Sequence, residues 1–72
     1  MRIYLSEQEH KKYLDWFLSE VKELNKNNMK QSISKISPYI LDNLKIAKEV
    51  GYEELANNYA ASFKKEGLIF EL

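Results

Sequence analysis

His10 is the one histidine of this sequence and its strongest candidate for acid–base chemistry. Glu7 and Glu9 lie beside it, and a histidine that has a carboxylate partner can act as a general base. Catalysis would also need a nucleophile or a second carboxylate held near the ring. The spacing instead puts His10 on the apolar seam of a helix, which favours a partly buried structural histidine. We therefore expect no catalytic residues and no enzyme.

Metal and cofactor chemistry have little support in the residue types. Cysteine is absent, which excludes a disulfide framework and a thiolate metal site. The lone histidine cannot form the paired-histidine spacings of metal-binding helices. Gly51 and Gly67 are too far apart to form a phosphate-binding loop, and each fits the end of a helix. The sequence predicts no metal, no cofactor and no small-molecule substrate.

The charge balance argues against nucleic acid and membrane partners. Eleven basic and eleven acidic residues give a net charge of zero, so the chain as a whole lacks long-range attraction to phosphate. No apolar run is long enough to span a membrane, and the first ten residues lack the apolar core of a signal peptide. We expect a cytoplasmic protein, and its many lysines and asparagines are typical of a bacterial or phage source.

The elements that must position these residues are helices, and Met29–Val50 is the central one. Its apolar residues recur every three or four positions, which is the period of one buried helical face. The series is Met29, Ile33, Ile36, Ile40, Leu44 and Ala47. Tyr39, Ile46 and Val50 widen this face on one side, so we expect an outer helix on each side of the central one.

Pro38 lies inside this central stretch and leaves two alternatives. A proline within a helix removes one hydrogen bond and clashes with the preceding turn. In one alternative the helix ends near Ile36, and Ser37 caps a new helix that has Pro38 in its first turn. In the other, one kinked helix continues through Pro38, because the apolar phase is unbroken and the proline lies opposite the buried face.

The outer helices have clear start and stop signals. Ser6 and Glu9 form a capping box for a first helix over about Glu7–Asn25. Its apolar seam is His10, Leu14, Phe17, Val21 and Leu24. A third helix is predicted over about Tyr52–Glu66, between the two glycines. Its apolar face is Tyr52, Leu55, Ala56, Tyr59, Ala60 and Phe63. Residues 1–72 are thus expected to form a single small all-α domain of three helices.

Two short segments at the ends of the chain also fit strands. Arg2–Leu5 has β-prone residues, and apolar residues alternate with others over Leu68–Leu72. A minimal β-pair between the termini is therefore an alternative to a tail that lies over the helices.

The segments IAKEVG (46–51) and KKEGLI (64–69), with a helix between them, resemble the helix–turn–helix and its boundary in winged-helix regulators. The resemblance covers about the last third of the chain and implies a small DNA-binding regulator. Glu53 and Glu54 open the corresponding recognition helix and would repel phosphate. That helix also lacks an arginine for pairing with guanine. We keep this function as the alternative.

Trp16 is the best indication of a binding surface. It lies about a third of a turn away from the apolar seam of its helix, and Tyr13 and Glu20 lie one turn to either side. Leu41 is similarly displaced on the central helix. Tryptophan and tyrosine often anchor protein interfaces. We therefore predict a protein-interaction module with Tyr13, Trp16, Glu20 and Leu41 as partner-binding residues. It would be a regulator, inhibitor or immunity-type protein that occludes a protein partner, or it would bind a second copy of itself.

Overall fold

A computed structural model describes residues 5–72, which form three α-helices and no β-strand. Helix α1 spans Glu7–Lys26, α2 spans Lys30–Glu49 and α3 spans Glu53–Lys65. Every helix end lies within one residue of its predicted position. The prediction of a small all-α fold with three helices is confirmed.

Helix α1 begins at the predicted capping box. The Ser6 side chain accepts a hydrogen bond from the Glu9 backbone N–H at 3.2 Å. In return, the Ser6 backbone N–H donates to Glu9 Oε1 at 3.1 Å. Both bonds lower the pKa of the Glu9 carboxyl below its usual value, and the bond from the Ser6 backbone contributes most. The two bonds satisfy two N–H groups that a helix start otherwise leaves open.

All three helices end with the same backbone motif. The residues after the C-caps are Asn28, Gly51 and Gly67, and each has a positive φ angle. At the end of α2, for example, the Tyr52 N–H donates to the Ala47 carbonyl at 2.8 Å. This is the Schellman arrangement, in which a left-handed residue lets the chain turn back and satisfy the last carbonyls. The roles predicted for the two glycines are confirmed.

The connection between α1 and α2 uses an asparagine in an unusual role. Asparagine before a helix is a typical N-cap, but Asn28 instead supplies the left-handed turn that ends α1, with φ of 57°. Met29 occupies the N-cap position of α2 and makes no side-chain cap hydrogen bond. Asparagine tolerates this left-handed conformation better than most residues, which explains why it serves here in place of glycine.

Helix α2 is the central element, since its contacts with α1 and with α3 are each more extensive than the contact between α1 and α3. The fully buried core combines apolar residues of all three helices: Leu14, Val21, Ile40, Leu44, Ala47, Ala56 and Phe63. The buried face of α2 is narrower than predicted, because Met29, Tyr39 and Ile46 are exposed. Met29 precedes the helix, and the other two lie at the edge of the contact with α1, where no described element covers them.

Helix α2 continues through Pro38 without interruption. The alternative of two separate helices is therefore wrong, and the kink remains a prediction. Pro38 is exposed, whereas Ile40 and Leu44 are buried. The proline thus lies away from the core, as the unbroken apolar phase indicated.

The C-terminal tail packs on the helices and does not form a strand. Leu68, Phe70 and Leu72 all pack against the core, and the Phe70 ring meets the Phe63 ring edge-on at 5.7 Å. The Lys48 ammonium donates to the backbone oxygen of Leu72 at 3.1 Å. The alternating pattern thus reflects one-sided contact with helices. Of the proposed strand partner Arg2–Leu5, residues 2–4 lie outside the described residues, and Leu5 is not in a strand.

Candidate functional site: the α1/α2 groove

A groove of about 370 Å³ lies between α1 and α2. We call it the α1/α2 groove, and its described lining is mostly apolar and aromatic. The lining residues are Leu5, His10, Tyr13, Phe17, Tyr39, Asp42, Asn43 and Ile46. On α1 the contributing residues lie three and four positions apart, and on α2 the adjacent pair Asp42 and Asn43 lies three or four positions from Tyr39 and from Ile46, so each helix presents one continuous strip to the groove.

His10 and Asn43 join the two walls of the groove. His10 is only 1% exposed, and its Nδ1 lies 2.8 Å from Asn43 Oδ1. An amide oxygen only accepts hydrogen bonds, so Nδ1 carries the hydrogen and donates. Nε2 is buried and has no hydrogen-bond partner among the described residues. The Tyr52 ring packs edge-on against the imidazole at 5.8 Å. His10 is therefore more deeply buried than predicted, and an amide holds it in place.

The rim of the groove is unusually rich in exposed apolar side chains. The exposed fractions are 49% for Tyr13, 56% for Trp16, 66% for Tyr39 and 43% for Ile46. We call these four residues the aromatic face. Three of them line the α1/α2 groove, and Trp16 joins them through an edge-on contact with Phe17 at 5.3 Å. At roughly 150–250 Å² per aromatic side chain, the face exposes on the order of 400 Å². Patches of that size on single proteins are often functional.

The structure brings together only two of the four residues predicted to bind a partner. Tyr13 and Trp16 both belong to the aromatic face. Glu20 is half-buried one turn beyond Trp16 and does not line the α1/α2 groove. Leu41 is half-buried in a separate depression of about 420 Å³, which Ile69 of the tail also lines. Glu20 and Leu41 remain predictions, but they do not share the surface around Trp16.

Sequence reasoning missed half of this site. It assigned Tyr39 and Ile46 to the core, although their spacing with Asp42 places the three on one flank of α2. Asn43 carried a clearer signal. It lies three residues after Ile40 and four before Ala47, so it is a polar residue on an apolar face. A polar residue there needs a polar partner on the opposing helix, and His10 is the polar residue on the seam of α1.

A second polar link ties α1 to α3. The Tyr59 hydroxyl donates to the Asp15 carboxylate. The pKa of Tyr59 is raised to about 12, mainly by partial burial of the phenol and further by the nearby Asp15 carboxylate. The link lies in another depression, lined also by Leu18 and Ser62. It fixes the packing of two helices and adds no group to the α1/α2 groove.

Within residues 5–72, no group of three or more acidic or histidine side chains is arranged to hold a metal ion. None of the described helices has the length and apolar character needed to cross a membrane. The first turn of α3 carries Glu53 and Glu54, both exposed. Comparisons with protein-family models, curated proteins and solved structures found no match.

Proposed function

We propose that this chain is a protein-interaction module that binds a protein partner through the aromatic face. It would act in the cytoplasm as a small regulator, inhibitor or immunity-type protein that occludes its partner. The observation that supports this proposal is the exposure of Tyr13, Trp16, Tyr39 and Ile46, three of which line the α1/α2 groove. Large aromatic side chains at the centre of a surface patch often dominate binding free energy.

The make-up of this surface also fits a protein partner better than phosphate or lipid. Its exposed members are apolar or aromatic, and the one carboxylate in the groove lining, Asp42, repels phosphate. A protein interface typically has an apolar, aromatic centre and a polar rim. Asp42 and Asn43 provide polar groups beside the aromatic centre.

Trp16→Ala tests the proposal. The expected cost in folding stability is about 1 kcal/mol, the value of one edge-on aromatic pair, because Trp16 is more than half exposed. The expected loss of binding free energy is more than about 2 kcal/mol, as for an interface anchor. Ile69→Ala is the matched control, since Ile69 is 74% exposed and lies in the tail.

The wild-type protein and both variants would be immobilised and exposed to lysate, and captured proteins would be quantified by mass spectrometry. The proposal would be supported by a protein that the wild type and Ile69→Ala retain and Trp16→Ala loses. Calorimetry with that purified partner should then rank the affinities of the three proteins in the same order. Equal capture by all three proteins would contradict it. Sedimentation equilibrium tests the alternative occupant, because a dimer lost with Trp16→Ala would make the partner a second copy. Micromolar binding to duplex DNA, weakening steeply with salt, would instead favour the winged-helix alternative.

A further inference from the structure

We infer that the α1/α2 groove binds an arginine side chain presented by the protein partner. The inference rests on the proposed function and adds the chemistry that the partner must carry. It starts from Asp42, the one carboxylate among the described lining residues. Asp42 is exposed, and it forms no hydrogen bond or ion pair with any other described residue. No described residue therefore neutralises this negative charge, which can attract a cation.

The side chains around this carboxylate favour a guanidinium group. Tyr13, Phe17 and Tyr39 line the same groove as Asp42. Aromatic faces attract cations, and arginine stacks on them through its flat, weakly hydrated guanidinium. The same group can donate two parallel hydrogen bonds to one carboxylate, which a lysine ammonium cannot do. Aromatic walls beside a single carboxylate thus match arginine in both shape and charge.

The dimensions of the groove are consistent with this occupant. Its volume of about 370 Å³ is near the lower end of the range of roughly 300–1,000 Å³ for ligand pockets. That space suits one long side chain with its neighbouring backbone. The chain itself holds a single arginine, Arg2. We commit to a guanidinium from a partner protein as the occupant, and deletion of residues 1–4 tests Arg2 as the alternative occupant.

Three blocked amino acids serve as probes in an NMR titration of the full-length protein: the N-acetyl methylamides of arginine, lysine and citrulline. Citrulline is the neutral counterpart of arginine and keeps nearly the same shape. We expect arginine to shift the amide signals of Tyr13, Asp42 and Asn43 and to bind about three- to tenfold more tightly than citrulline. Lysine should fall between the two. Asp42→Asn should abolish the preference for arginine, whereas Glu53→Gln, which neutralises an exposed carboxylate on α3, should leave it unchanged.

Several outcomes would overturn the inference. These are equal affinities for arginine and citrulline, equal affinities for arginine and lysine, or shifts outside the α1/α2 groove. Tighter arginine binding by a variant lacking residues 1–4 would show that the chain's own N-terminal segment occupies the groove. A dimer that dissociates with Asp42→Asn in sedimentation equilibrium would assign the groove to a second copy.

The two proposals can fail separately. Suppose that a partner is captured in a Trp16-dependent way but the groove shows no preference for arginine. The proposed function would then be retained and the arginine inference would be wrong. Conversely, an arginine preference abolished by Asp42→Asn, without any Trp16-dependent partner, would retain the arginine site and remove the proposed role of the aromatic face.

Discussion

The hydrogen bond between His10 and Asn43 should stabilise the contact of α1 with α2, and Asn43→Leu tests it. Leucine branches at Cγ as asparagine does, but it is larger and offers no acceptor. His10 is 1% exposed, so the Nδ1–H group would be left buried without a partner at a cost of about 1–3 kcal/mol. A chain of this length has a total stability of roughly 4–11 kcal/mol. The melting temperature should fall by about 4–8 °C for each kcal/mol.

A double-mutant cycle separates the hydrogen bond from other effects of the substitution. Loss of the hydrogen bond should cost less folding stability in His10→Leu than in Asn43→Leu. The reason is that Asn43 is only half-buried, so its amide can bond to water in the groove when the imidazole is absent. The double variant removes both polar groups and should recover part of the loss. We expect a coupling free energy of about 1–2 kcal/mol. The contact of His10 with Tyr52 is lost whenever His10 is replaced, so it cancels in the cycle.

Urea denaturation followed by circular dichroism measures all four members of the cycle. Asn57→Leu is the matched control, since Asn57 is exposed on α3 and reports the effect of leucine on a helix surface. A coupling below about 0.5 kcal/mol would be indistinguishable from independent sites. That result would refute the view that this bond stabilises the helix pair.

Three further predictions concern stability. Phe63→Ala should cost about 3–5 kcal/mol, because Phe63 is fully buried; a thermal melt within a few degrees of wild type would contradict this. Pro38→Ala should raise the melting temperature, since an interior proline costs a helix up to ~3 kcal/mol relative to alanine. A lower melting temperature would contradict this and would mean that the packing of α2 requires the proline. Tyr59 has a pKa of about 12 in the folded protein and about 10 when unfolded. The folded state therefore holds the phenolic proton more tightly, and this stabilisation is present below about pH 10 and lost as the pH rises through about 12. The stability difference between wild type and Tyr59→Phe should shrink over that interval, and a difference independent of pH would contradict the Asp15–Tyr59 link.

The sequence by itself determined the number, type and ends of the helices. These features depend on residues within one or two turns of each other. Ser6 and Glu9 cap α1 through bonds that span three positions, and Gly51 and Gly67 supply turns that most side chains disfavour. The central place of α2 was also expected from its apolar face, although Tyr39 and Ile46, which were predicted to widen that face, are exposed.

Only the tertiary structure decided which apolar residues remain exposed and which polar groups meet. Periodicity shows that Tyr39 and Ile46 share a flank of α2, but whether that flank is covered depends on where α1 crosses it. For the same reason, Asn43 meets His10 only when α1 and α2 pack together, because the two residues lie 33 positions apart in sequence. The alternation over Leu68–Leu72 indicated that Leu68, Phe70 and Leu72 share one covered side. Only the packed structure shows that the helices cover that side and that no described strand does.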